Sequence, residues 1–437
     1  MKLGCRLAAV LFGFVAFRGL SAQDTTNAIR LGVRGASSAQ PGLAVLAGPG
    51  LDSVRAIVVR DLENSNRFTM PPHGADSAFI LRGPFNPAAL KGIGLTWVVE
   101  LEPAIGGVDV KLYDMATGTI RQQATRPLDP GGVGDTRMTI HRVSDLVSGW
   151  TGNTGIAATR IAFKGKAGRD DAIWRIDSDG ANLVRVSPTG RITATPAWSP
   201  DGSSIVFSEF RDGRWTLYLD RLSSGTRTAI PNSSAANSMG PSFAPDGKTL
   251  VYSHGLDAGY GVESVDISRM CCAHILTHDG RFADNVSPTY SPDGQRIAYV
   301  SNRTGVPEIY VMDDDGTGRT QLVPSDFEPG GRPLPTYSPA WSPDGSQLVF
   351  DRDTPAGGRQ LYIWSVGSGQ VRQLTAAGRN DDPSWAPDSR HIVFKSTRAG
   401  GREQLWIIDT ESSAFRQIAT PGGAQYPAWS RALGTNP

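Results

Sequence analysis

Four histidines, His254, His274, His278 and His391, lie in the second half of a 437-residue chain. Imidazole is the side chain most often used to hold a metal or move a proton near neutral pH. A metal centre needs three or more converging ligands. The order of the strands described below puts His274 and His391 near one end of the sheets and His254 and His278 near the other, so no single cluster is expected. Two acidic runs, Asp177-Ser178-Asp179-Gly180 and Asp313-Asp314-Asp315-Gly316, open like calcium loops but lack the later glutamate. Both fit hairpin turns better. No Gly-x-Ser-x-Gly elbow presents a nucleophile. The glycines of residues 128–136 (LDPGGVGDT) are not followed by Lys-Ser/Thr, so they read as a flexible loop and not as a phosphate cradle. Cys271 and Cys272 are neighbours, which excludes a disulfide framework. They read as two turn thiols, with a redox switch as the alternative. The expectation is therefore a protein that binds and does not turn over, with no cofactor and no metal.

The elements that would position such a surface are spelled out by a repeat. PAWSPDG at Pro196–Gly202 recurs as PSFAPDG at Pro241, PTYSPDG at Pro288, PAWSPDG at Pro339 and PSWAPDS at Pro383, and a shortened PAWSR stands at Pro427. The aromatic positions Trp198, Phe243, Tyr290, Trp341, Trp385 and Trp429 are spaced 44 to 51 residues apart. That is the period of a four-stranded propeller blade. Seven residues after each of the first five comes an apolar triplet such as Ile205-Val206-Phe207, and then a third and a fourth strand. The SPDG core should make the turn between the first two strands. Proline fixes φ, aspartate bonds back to the backbone, and glycine takes the left-handed conformation. Ser389 replaces that glycine in the fifth copy, so its turn should be the most strained.

The broken sixth copy has a reading too. The triplet Ile161-Ala162-Phe163 has no aromatic-SPDG before it, and Ala428-Trp429-Ser430 has no strands after it. Paired together, they complete a sixth blade and leave no exposed edge. The fold class expected is an all-β six-bladed propeller over residues 151–437, preceded by a small α/β domain at 23–150. In that domain Leu51, Val54, Ile57, Val58 and Leu62 share a helical face, Trp97–Leu101 and Val108–Leu112 read as strands, and Met138–Trp150 reads as a helix stopped at Thr151-Gly152. Residues 1–22 read as a secretory signal: Lys2 and Arg6 precede an apolar run, Ala8–Phe17, that is too short to span a bilayer. The chain should be exported, with no transmembrane segment after cleavage. A net charge of +1 gives no field that would favour nucleic acid.

The propeller repeat, with "VVRDLENSNRF" (Val58–Phe68), "VKLYDMATG" (Val110–Gly118) and "HRVSDLVSGWTGNTGIAATRIAF" (His141–Phe163), resembles the TolB family of the Tol-Pal envelope system. The resemblance covers nearly all of the chain after residue 22. It implies a periplasmic scaffold that links the peptidoglycan-associated lipoprotein Pal to TolA and supports outer-membrane integrity and constriction during cell division. The residues just before the recurrent prolines vary and are polar or exposed: Asn237, Met239, Asn285, Ser287, Tyr337, Asp381, Asp382, Gln425 and Tyr426. Loops on a rigid scaffold are where binding concentrates, and the resemblance implies that this rim receives a Pal-like lipoprotein. It also implies that the polar segment starting Gln23, Asp24, Thr25 reaches TolA by adding a strand to a sheet edge. Two other readings stay open: a secreted propeller that binds a sugar or peptide in its channel, and a metal-dependent propeller lyase.

Overall fold

The computed structural model describes residues 40–433 apart from 72–83, 129–135, 168–169, 235, 280–282, 323–333 and 421. The expected signal at 1–22, the segment at Gln23, Asp24 and Thr25, and most of the loop 128–136 lie outside the described residues.

The N-terminal layer begins with a four-stranded sheet. Its strands are β1 (Gly42–Ala47), β2 (Leu95–Ala104), β3 (Gly107–Asp114) and β4 (Thr119–Pro127), in that order. β1 runs parallel to β2, so the chain must cross over between them, and helix α1 (Asp52–Asn64) does so. The two remaining pairings are antiparallel. In β3 the alternation of the sequence becomes a two-faced strand: Val108, Val110 and Leu112 are buried and the residues between them are not. That face packs on Val54, Val58 and Leu62 of α1 and on Ile140, Val143 and Val147 of a second helix, α2 (Thr136–Trp150). The helix ends where the glycine indicates, with Gly152 at φ 82°.

Six four-stranded antiparallel sheets follow. In each of the five complete repeats the strand carrying the aromatic is innermost. These innermost strands are Ile192–Trp198, Ser238–Phe243, Asn285–Tyr290, Thr336–Trp341 and Asn380–Trp385. The sixth sheet takes its innermost strand, Ala424–Trp429, from the other end of the chain: Ala428 pairs with Ala162 and Trp429 with Ile161. Each innermost strand packs against the next, and Ala424–Trp429 touches both Asn380–Trp385 and Ile192–Trp198, so the six close a ring. Indoles stitch neighbours together. Trp198 Nε1 donates to the Ala428 carbonyl at 3.1 Å and Trp385 Nε1 to the Ala340 carbonyl at 3.0 Å. Between the sheets lie apolar layers such as Val206, Leu217, Leu250 and Tyr252.

The SPDG turns behave as their residues dictate. Asp201 Oδ1 accepts the Ser203 N–H at 3.0 Å, and Asp246, Asp293, Asp344 and Asp388 accept the N–H two residues on at 2.9 to 3.1 Å. Hydrogen bonds from the Ser291 hydroxyl and the Gln295 amide hold the Asp293 carboxyl below its usual range. Gly202, Gly247, Gly294 and Gly345 have φ between 69° and 74°, and Ser389 is forced to the same region at 53°. Cys271 and Cys272 differ from expectation. They are joined as a vicinal disulfide where the outermost strand Cys271–Ile275 begins. The turn there brings adjacent side chains together, which sequence spacing alone could not show.

Candidate functional site: a strained rim around a central cavity

Midway along every innermost strand, three residues before the aromatic that leads into the SPDG turn or its shortened sixth copy, the register is irregular. The breaks fall between Ala194 and Ala197, Met239 and Ser242, Val286 and Thr289, Tyr337 and Ala340, Asp381 and Ser384, and Gln425 and Ala428. Each break holds one residue and the recurrent proline. The proline cannot donate to the ladder, so the strand must bulge there. The residue before it is left-handed in all six sheets: Thr195 (φ 47°), Gly240 (62°), Ser287 (53°), Ser338 (47°), Asp382 (54°) and Tyr426 (51°). Only one of the six is glycine. The others hold a conformation that costs of order 1–3 kcal/mol per residue, and such strain concentrates at functional sites.

These six residues and the six prolines line a central cavity of about 390 Å³, which continues to the SPDG turns, where Ser199, Pro200, Pro245, Pro292, Pro343 and Pro387 line it too. The six prolines of the bulges are themselves buried and shape the wall. The strained backbone is held from the neighbouring strands. The Gly240 N–H donates to Thr195 Oγ1 at 3.2 Å, the Ser287 N–H to Ser253 Oγ at 3.0 Å and the Asp382 N–H to Asp351 Oδ1 at 3.4 Å.

One arc of the rim is neutral and the other charged. Ser208, Ser253 and Val300 stand behind three of the bulges, opposite Ala194, Met239 and Val286. The next three positions are Asp351, Lys395 and Lys164, opposite Tyr337, Asp381 and Gln425. Asp351 has no exposed surface. Burial, then the nearby Asp382, push its carboxyl up to about 7, against the pull of Arg359 at 3.1 Å. Asp382 is raised as well, by burial first and against the field of Lys395 at 3.6 Å.

The structure sorts the rim residues chosen from sequence into three groups. Ser287, Asp382 and Tyr426 face the cavity, with Tyr426 39% exposed. Met239, Tyr337 and Gln425 stand one residue earlier. The Arg359 guanidinium lies 4.0 Å over the Tyr337 ring, and Gln425 Nε2 donates to Glu403 Oε2 at 2.5 Å. Asn237, Asn285 and Asp381 are anchors of the scaffold, a correction to their reading as exposed rim residues. Asn237 Oδ1 accepts the Trp215 N–H at 2.9 Å. Asn285 is 1% exposed and bonds to Tyr260 and Arg303, both at 3.4 Å. Asp381 is equally buried among Arg359, Arg379 and Lys395. Thr195 and Ser338 were not singled out, although each stands directly before a recurrent proline as Ser287 does. Asp351 was also missed, because nothing local marks it as buried behind the Asp382 bulge.

The histidines do not meet. His254 is buried against Ser234 and Glu263, His391 against Asp388, and His274 and His278 are exposed on the outermost strand side. Asp177–Gly180 and Asp313–Gly316 are hairpin turns, with Gly180 and Gly316 left-handed. A cluster of three ligand-type groups does exist elsewhere, at Asp61, His141 and Asp179. Asp179 Oδ2 already takes the guanidinium groups of Arg60 and Arg137, and Asp61 Oδ2 the His141 ring at 2.7 Å and the Ser144 hydroxyl at 2.7 Å. It is an ion network and is discussed below.

The family described as "TolB beta propeller domain" (PD40) matches residues 148–327 and 331–434. The chain belongs to the TolB family. Among curated relatives, the Tol-Pal system protein TolB of Francisella tularensis subsp. mediasiatica (strain FSC147) is 28% identical over 250 residues, 55% of each chain. The same protein of subsp. tularensis (strain SCHU S4 / Schu 4) matches equally. This TolB-family chain thus spans about half the length of the curated relatives it matches. The crystal structure of TolB from Acinetobacter baumannii superposes with a TM-score of 0.75 at 24% identity, covering 90% of this chain and 97% of that one, which shows the shared fold. Among the described residues, no helix is long and apolar enough to cross a membrane.

Proposed function

We propose that this chain is a non-enzymatic, periplasmic protein-binding scaffold of a Tol-Pal system. On this reading residues 151–437 are a six-bladed propeller and residues 23–150 a small α/β domain. A Pal-like peptidoglycan-associated lipoprotein docks at the proline-backed rim, and the segment beginning Gln23, Asp24, Thr25 engages TolA. Together they support outer-membrane integrity and constriction during cell division.

The observation that carries the reading is the ring of six left-handed bulges around one cavity. Strain kept at five of the six equivalent positions gives a rigid rim, and a rigid rim loses little entropy when a partner loop enters it. One loop could touch several sheets at once, with Tyr426 as an aromatic anchor among small polar groups. Membership of the TolB family supports a Pal-class lipoprotein as the partner. The test is binding of the purified chain to the Pal-class lipoprotein of the same organism, with its lipid removed. Saturable binding competed by a peptide from the partner's docking loop supports the proposal. No binding by a folded chain, or turnover of an ester, peptide or uronate substrate that follows the chain through purification, overturns it.

A further inference from the structure

His141 lies at the joint between the helical layer and the ring, with no exposed surface. On one side its Nδ1 is 2.7 Å from Asp61 Oδ2 of α1. On the other its Nε2 points at Asp179 Oδ2, 3.7 Å away, in the turn after the strand Asp170–Asp177. Asp179 also takes Arg60 of α1 and Arg137 of α2. Arg416 closes the site from the neighbouring sheet by donating to the Ser178 carbonyl at 3.0 Å. From α2 itself, Asp145 reaches across and accepts the N–H groups of Ala157 and Ala158 at 2.8 and 2.9 Å. Asp177, behind the turn, is paired with Arg160 at 3.0 Å. Among the described residues, the ion-pair partner of Asp61 is His141. A buried carboxylate without a cation is costly; the Arg416 guanidinium reaches Asp61 through its field alone, so the charge paired with Asp61 is the proton on His141.

We propose that His141 is a proton-held latch, whose imidazolium clamps α1 and α2 to the turn at Asp179 and whose deprotonation loosens the helical layer from the ring. Burial opposes the imidazolium, but the Asp61 hydrogen bond and the fields of Asp61, Asp179 and Asp177 outweigh it and raise the group above its ordinary value. A histidine raised on folding stabilises fully below its unfolded value and loses that contribution as pH rises through the folded one. The joint is therefore tightest below the ordinary histidine value of 6.5 and slackens as pH rises beyond it. Burial raises Asp145 to about 6, against the amides of Ala158 and Ala157. Its effect falls between about pH 4 and pH 6 and does not overlap the histidine window. The inference does not depend on what binds the rim.

The test uses the full chain and hydrogen exchange from pH 6.5 to 9, corrected for intrinsic rates. The protection of α1 and α2 is compared with that of the strand Ser204–Arg211. The helices should lose protection relative to the strand as pH rises through the folded value of His141. The pair Asp61→Asn with His141→Gln replaces the ion pair by a neutral hydrogen bond and should make the ratio flat. If that variant does not fold, the His141 ring is titrated by NMR in the unaltered chain, where a midpoint above the ordinary histidine value is expected. A wild-type ratio constant over the range, a double variant that declines like wild type, or a ring midpoint at or below the ordinary histidine value would each overturn the latch.

Discussion

The SPDG turns and the bulges of the innermost strands solve one problem in opposite ways. Both require left-handed backbone at a fixed place in every repeat. At the SPDG turns four of five positions use glycine, and aspartate and serine satisfy the backbone locally. At the rim five of six positions are not glycine, each stands before a proline, and the amides that are bonded reach side chains outside their own turn, as at Ser253 and Asp351. The turn is built for low strain. The rim keeps strain where glycine would have removed it, and keeps side chains facing the cavity in return. A fold that needed only to close its ring would have no use for those side chains.

Removing the last innermost strand is the harshest way to break the comparison, since both depend on a closed ring. Truncation after Tyr426 removes Trp429 and its bond to Thr159, and exposes the strand Arg160–Ala167. Stability to urea should fall by about 4 kcal/mol or more. An unchanged midpoint would mean the ring does not need its sixth sheet.

Next in size is the charged arc. The folded value of Asp351 is raised from 3.8 to about 7, so stability should decline as pH climbs between those limits and level off above them. The Asp351→Asn variant should flatten that slope, an effect on the order of a few kcal/mol, read from urea midpoints between pH 4 and 8. A slope that survives the substitution would assign the decline to other groups.

Smaller effects separate the two directly. Gly345 has φ 72°, and an added Cβ would meet Pro292 at 3.3 Å. Gly345→Ala should cost about 1–2 kcal/mol. Ser287→Gly at the rim should go the other way and stabilise by up to about 1 kcal/mol, since relief of the left-handed strain exceeds the added chain entropy. Matching signs in the two thermal melts would remove the distinction between turn and rim.

Much of the scaffold could be read from residue types. The aromatic period gave the sheets, the orphan Ala428-Trp429-Ser430 gave the closure, and the missing glycine at Ser389 marked a strained turn. The rim was legible only in outline. A residue before proline is expected to be extended, so nothing in Thr195, Ser338 or Asp382 announces a left-handed bulge. It follows from ring geometry. Asn285 and Asp381 look like surface residues because burial of a polar side chain depends on partners such as Arg303 and Lys395, which lie 18 and 14 positions away. His141 finds Asp61 across 80 residues. No local pattern encodes such a pair.

The most direct test of the rim as partner site is a calorimetric titration of a delipidated Pal-class lipoprotein into two variants of matched thermal stability. One carries Ser287→Arg with Tyr426→Ala at the rim, and the other Asp201→Ala with Asp344→Ala in the turns. The rim variant should bind at least about a hundredfold more weakly than the unaltered chain, as expected when central contacts are lost, and the turn variant should bind normally. Normal binding by the rim variant together with loss in the turn variant would place the partner at the SPDG turns and not at the bulges.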